Sequence, residues 1–171
     1  MNMSKVVKEI LSYVFIIVIV LLFKHYIISP IRVDGDSMNP TLRNGDIMLL
    51  NEIGYRLNGV DRFDIVVIDT EEDVIVKRVI GLPGDRIKYV DNKLYVNDKE
   101  VEEPFEHDVT HNFELLELGT DNVPINEYFV LGDNRNNSKD SRIIGFIKDY
   151  QIRGKVIKTI LFPFSRWGKV K

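Results

Sequence analysis

The spacing of apolar and polar residues changes near residue 30. Before it, Ile10 to Phe23 read ILSYVFIIVIVLLF, and only Ser12 and Tyr13 carry polar side-chain atoms. That run is shorter than the ~20 residues a spanning helix needs. Counting from Ile10 to Ser29 reaches this length, provided Lys24 and His25 lie near an interface. Lys24 can then snorkel and Tyr26 suits the headgroup level. Pro30 ends the helix or marks the turn after it. The pattern predicts a transmembrane anchor over residues 10–29. A cleaved leader would need small residues before its cleavage point, and no A-x-A-like triplet follows the run. A buried core helix is the other rival. Lys5, Lys8 and the amino terminus put residues 1–9 in the cytoplasm by the positive-inside rule, leaving residues 30–171 outside. Lys24 and Arg32 weigh against that orientation without reversing it.

After residue 30 the rhythm is that of short strands. Gly45 to Leu50 is a turn running into an apolar stretch. Asp64–Ile68, Val74–Ile80, Tyr128–Leu131 and Val156–Ile160 are further runs. Ile87–Val90, Asp91-Asn92-Lys93 and Leu94–Asn97 read as a hairpin with a short turn. Gly, Asn, Asp and Pro separate the runs. Residues 98–127 are charged and less regular, with Pro104, Pro124 and an acidic stretch around Glu100–Glu106. They read as an excursion from the β core. No repeat or low-complexity tract is evident. The expected fold is an all-β catalytic domain, a barrel-like or sandwich-like set of short antiparallel strands, preceded by one N-terminal transmembrane helix.

Composition narrows the chemistry. The 171 residues allow one folded domain and little more. Apolar residues at 44% and charged residues at 29% exclude global disorder. The net charge of -3 gives no global electrostatic footprint for nucleic acid. The absence of cysteine excludes disulfides, thiolate metal sites and a cysteine nucleophile.

Three clusters carry candidate chemistry. Val33-Asp34-Gly35-Asp36-Ser37-Met38-Asn39-Pro40-Thr41-Leu42 places a serine in a Gly/Asp/Pro-rich turn, which is also a common structural arrangement. Val74 to Asp85 contains VIVKRVIG, where strand alternation puts Ile75, Lys77 and Val79 on one side and Arg78 on the other. An ammonium among branched aliphatic groups loses hydration, and its pKa falls from ~10.4 toward neutrality. A neutral lysine can serve as a general base. A lysine blocking an edge strand is the plainer reading. Gly132-Asp133-Asn134-Arg135-Asn136-Asn137-Ser138-Lys139-Asp140-Ser141-Arg142 is either a polar surface turn or a side-chain network that orients a catalytic group. It opens like a calcium loop, but Arg135 and Ser138 occupy positions that such a loop cannot give them.

GDSMNPTL, KRVIGLPGD and GDNRNNSKDSR, in that order behind an N-terminal apolar segment, resemble type I signal peptidases. The likeness is to the short, single-span form of Gram-positive bacteria. It runs from the anchor to at least Arg142, and Phe63 stands where the family often has Gly. The resemblance implies that Ser37 is the nucleophile and Lys77 its general base. The Ser37 backbone N–H is the natural oxyanion donor. Longer relatives add a serine hydroxyl at the position held here by Gly35, so that donor is absent. Ser138 matches a serine that hydrogen-bonds the lysine. Asp140 and Arg142 match a structural pair, and Asp133 a further member of the same network. Met38 is expected beside the nucleophile in the substrate cleft.

The implied partners are secretory preproteins, bound near their cleavage region with small residues at -1 and -3, and the lipid bilayer of the cell membrane. No cofactor is implied. Activity is expected to rise with pH through the Lys77 titration. Phe162 to Trp167 is an aromatic and basic cluster, suited to core packing or to a lipid interface. His107 and His111 lack an evident third ligand for a metal. Two rivals use the same chemistry or fold. A self-cleaving repressor would carry a DNA-binding module. A catalytically silent membrane-tethered scaffold would survive Ser37→Ala.

Overall fold

This computed structural model describes residues 3–162, with side chains described for 7–20, 29–57 and 59–156. Helix α1 runs Met3–Ile27 and leads into β1, Ile28–Arg32. Then follow β2 Ile47–Asn51, α2 Gly54–Asn58, β3 Ile65–Asp69, β4 Val74–Gly81, β5 Ile87–Val90, β6 Lys93–Val96, β7 Lys99–Val101 and β8 Phe113–Glu114. The chain closes with β9 Glu127–Leu131, α3 Ser141–Ile144, β10 Ile147–Lys148 and β11 Ile152–Phe162.

The strands form two sheets, and the strand pairings are antiparallel. Seven strands order as β1-β2-β11-β3-β4-β9-β10 and four as β7-β6-β5-β8. β3 lies inside the larger sheet, and its run Ile65-Val66-Val67-Ile68 is apolar without alternation because both faces are covered. Ile65 and Val67 pack with Val33, Met38, Leu42 and Met48, while Val66 and Ile68 pack with Val79, Val130 and Ile152. A third cluster joins the sheets, with Tyr89, Leu94 and Phe113 of the smaller one against Ile80, Phe129 and Leu131 of the larger.

The β5–β6 hairpin turns on Asp91 and Asn92, with φ of 48° and 65°. Both are left-handed, as a type I′ turn requires. Residues 98–127, expected to be irregular, contribute β7, β8 and a 3-10 turn at Leu115–Leu118. The second sheet is half built from them. Short strands of two or three residues give too little alternation to be seen in sequence.

The expected span also needs correction. The helix ends at Ile27, and Ile28 and Ser29 belong to β1, which pairs with β2 through Ile28↔Asn51 and Pro30↔Leu49. β1 is an edge of the sheet, where a proline without an N–H is tolerated. Among the described residues no helix is long and apolar enough to cross a membrane. The Phe162–Trp167 cluster lies outside the described residues beyond Phe162.

Candidate functional site

Ser37 sits in a turn that leaves the edge strand β1 and returns as β2. The ends of that turn are pinned by Val33 N–H to the Asp46 carbonyl at 2.8 Å and by Gly45 N–H to the Val33 carbonyl at 2.9 Å. Inside, Leu42 N–H donates to the Met38 carbonyl at 2.8 Å. Gly35 has a φ of +87° and is exposed, a conformation that favours glycine and sets the bend before Ser37. Val33, Met38 and Leu42 anchor the turn in the core. Met38, expected beside the nucleophile in the substrate cleft, is 1% exposed and packs in the core beneath the turn. An unbranched apolar side chain gains more from filling a core gap than from facing water.

Lys77 reaches the same turn from the middle of β4. Its Nζ donates to Ser37 Oγ at 2.7 Å and to the Val76 carbonyl at 3.1 Å. The residue is 3% exposed. Burial pulls its pKa from 10.5 down to about 8, while the carboxylates of Asp140 and Asp133 act in the opposite direction. Desolvation of an ammonium without a hydrogen-bonded carboxylate is the physical cause. Lys77 is thus partly neutral near neutral pH, with its amine already directed at a hydroxyl.

The 132–142 loop closes over this pair. Asn134 N–H donates to the Ser37 carbonyl at 3.0 Å, and Asn134 Nδ2 to the Asp36 carbonyl at 3.1 Å. The approach depends on Gly132. A Cβ there would overlap the Ser37 carbonyl and the Ser138 side chain. Sequence reasoning passed over Gly132, although its place directly before the polar run was the available signal.

The remaining expected residues divide. Asp140, fully buried, accepts from Gly132 N–H at 3.1 Å and from Arg142 Nε and a terminal guanidinium nitrogen at 2.9 Å each. It also caps α3 by accepting from Arg142 N–H. Arg142 further donates to the Arg135 carbonyl at 2.6 Å. Asp133 turns instead to Arg78, whose guanidinium holds it with two bonds of 2.9 and 2.7 Å, and to the Thr41 hydroxyl at 2.5 Å. Arg78 also donates to the Phe63 carbonyl at 3.0 Å. Ser138 lies against Gly132, but its buried Oγ has no hydrogen-bond partner among the described residues. The expected Lys77–Ser138 bond is therefore not formed here, because Lys77 Nζ is directed to Ser37 and Val76. Phe63, at the position where a glycine was noted, has a φ of +73°.

A cleft of about 700 Å³ opens beside the pair. Asp34–Ser37, Thr70–Asp73 and Lys77 line it, with Ile75, Ile144, Phe146 and Ile147 as an apolar wall. His107 meets Glu103 rather than a metal set. Among the described residues no group of three His, Asp or Glu is arranged to hold a metal.

The profile of the family described as "Signal peptidase, peptidase S26" matches residues 6–161. The chain is 38% identical to signal peptidase IB of Staphylococcus aureus strain COL, over 94% of this chain and 93% of that one. It is 39% identical to signal peptidase I S of Bacillus subtilis strain 168, over 98% and 97%. A crystal structure of a signal peptidase I from Enterococcus faecalis V583 superposes with a TM-score of 0.52 and 34% identity, covering 56% of this chain and 95% of that one. The class is that of the serine endopeptidases. Within it, the chain belongs to the signal peptidase family, peptidase S26, and its activity is that of signal peptidase I.

Proposed function

We propose that this chain removes signal peptides from secretory preproteins with Ser37 as nucleophile and neutral Lys77 as general base. The observation that carries the reading is the 2.7 Å bond between a buried lysine amine and a serine hydroxyl at the wall of a cleft. The neutral amine takes the Ser37 proton as Oγ attacks the scissile carbonyl carbon. The Ser37 N–H has no acceptor among the described residues and is available to the oxyanion. The Lys77 ammonium then protonates the departing amine as the C–N bond breaks. Water next attacks the acyl ester, gives a proton to Lys77, and the Ser37 oxygen leaves with a proton returned from the ammonium. Asp140 and Arg142 hold the covering loop in place, and Asp133 fixes Arg78 beneath it. Gly35 offers no hydroxyl, so oxyanion donation falls to backbone N–H or water. The preprotein segment binds extended in the cleft, its small residues against the apolar wall.

Domain organisation follows the same reading. Residues 1–9 lie in the cytoplasm, the N-terminal helix anchors the protein in the cell membrane, and residues 30–171 form the extracytoplasmic peptidase domain. In support, α1 has 25 residues, and its side chains from Ile10 to Val20 include ten large apolar groups that are more than a third exposed. Such an all-round apolar surface is disfavoured in water and suited to lipid. The test is cleavage of a purified preprotein by the detergent-solubilised protein beside its Ser37→Ala and Lys77→Ala variants. Both variants are expected to lose at least about 10³-fold in kcat/KM while staying folded. Wild-type cleavage retained by Ser37→Ala would sink the assignment.

A further inference from the structure

The segment between β7 and β8 carries a charged cluster that the reaction scheme does not use. Glu103 has a side chain only 4% exposed, yet it is ionised by its surroundings. Burial pushes its carboxyl up, but His107 and Arg135 together hold it below the usual range. Its Oε1 accepts from Arg135 at 2.6 Å and from the Tyr89 hydroxyl at 2.9 Å, and its Oε2 lies 3.2 Å from His107 Nε2. Arg135 belongs to the loop that covers Ser37. Its side chain is fully buried and points away from the cleft, donating also to Thr110 Oγ1 at 2.5 Å and to the Tyr89 hydroxyl at 3.1 Å. A second tie runs parallel, from Asp108 N–H to the Asp133 carbonyl at 3.0 Å.

These bonds meet the catalytic loop on its far side. The Arg135 carbonyl accepts from Arg142, Arg142 pairs with Asp140, and Asp140 accepts from Gly132 N–H. The loop cannot shift at residue 135 without disturbing the carboxylates near Lys77. The geometry points to Glu103 as a positioning residue: by clamping Arg135 to the smaller sheet, it holds the 132–142 loop over Ser37 and Lys77. This rests on the assignment of those two residues to catalysis. The facing charged and titratable groups are Arg135, His107 and Tyr89 around Glu103, and Asp133 and Asp140 around Lys77. Burial is the largest influence on Lys77, so a loosened loop admits water and returns the amine toward its ordinary basicity.

The test compares Glu103→Gln, Arg135→Lys, their double variant and Tyr89→Phe in the full chain. For Glu103→Gln and Arg135→Lys, kcat is expected to fall about tenfold with KM within about twofold, since geometry rather than substrate affinity changes. The double variant is expected to be no worse than the weaker single one, as for two parts of one clamp. The pH midpoint of kcat/KM is expected to move at least about 0.5 unit alkaline. Tyr89→Phe, which keeps the ring, gives a smaller change in the same direction if the charged variants fold poorly. NMR titration of ¹³Cε-lysine, with the Lys77 signal assigned by its loss in Lys77→Ala, reads the same midpoint without activity. An unmoved Lys77 midpoint in Tyr89→Phe and in every folded variant, or activity lost only in proportion to folded protein, overturns the clamp. Ser37→Ala in the same assay separates the two failures, because activity surviving there overturns the catalytic assignment instead.

Discussion

Two cations stand side by side on β4, and the regions around them treat charge in opposite ways. Lys77 is 3% exposed and Arg78 is 2% exposed. On the Lys77 side the amine meets a hydroxyl and a carbonyl, and burial brings its pKa down to about 8. On the Arg78 side a fully buried Asp133 supplies both carboxylate oxygens, with the Thr41 hydroxyl, the Phe63 carbonyl and the Phe105 ring also in contact. At equal burial the lysine amine has a lowered pKa, while the guanidinium sits against a bidentate carboxylate. Two things differ: the hydrogen-bonded counter-charge, and the higher intrinsic basicity of a guanidinium, which keeps its proton where a buried amine loses it readily.

The comparison is broken most severely from the Arg78 side. Asp133→Asn leaves the guanidinium buried without its counter-charge and is expected to cost about 3–5 kcal/mol, read from urea unfolding. Next in size is the pH response. If Lys77 is the base, kcat/KM falls about tenfold for each pH unit below about 8, which a rate profile from pH 6 to 10 checks.

The same burial also makes stability depend on pH. Between about pH 8 and 10.5 the unfolded chain binds more protons at Lys77 than the folded one, so stability rises with pH across that window. Below it, the folded state retains the cost of burying the ammonium. Lys77→Met is therefore expected to stabilise the protein by roughly 2–3 kcal/mol at pH 7 and to flatten this rise, while removing activity. Denaturant midpoints at pH 7 and 10 measure both. The smallest change concerns the turn before β3. Phe63→Gly relieves a left-handed backbone but loses a ring packed 5.4 Å from Phe105, and a net loss of about 1 kcal/mol is expected in thermal unfolding.

Much of the architecture is legible along the chain. β3 to β6 and β9 lie where apolar runs are bounded by turn residues, because a strand is a local event. β1 is not legible, since an apolar stretch continuous with a helix gives no change of period at Ile28. β7 and β8 are too short to show one. The candidate site was legible in parts. Ser37, Lys77 and the polar loop were each visible as a serine in a tight turn, a lysine in an aliphatic strand and a dense hydrogen-bonding run. Alternation also put Arg78 across the strand from Lys77. It could not show that Asp133 is the partner of Arg78, or that Met38 faces the core.

Sequence alone determined the residue chemistry, the strand-forming runs and the family likeness, because these depend on side-chain type and neighbours a few positions away. The tertiary structure decided the rest. Ser37 and Lys77 are 40 positions apart, and Arg78 and Asp133 are 55 apart. β11 enters between β2 and β3, and Gly132 allows a loop to touch the Ser37 carbonyl. Local propensity carries no information about such meetings. They arise when separate apolar faces are buried together, and that burial also removes water from Lys77 and lowers its pKa.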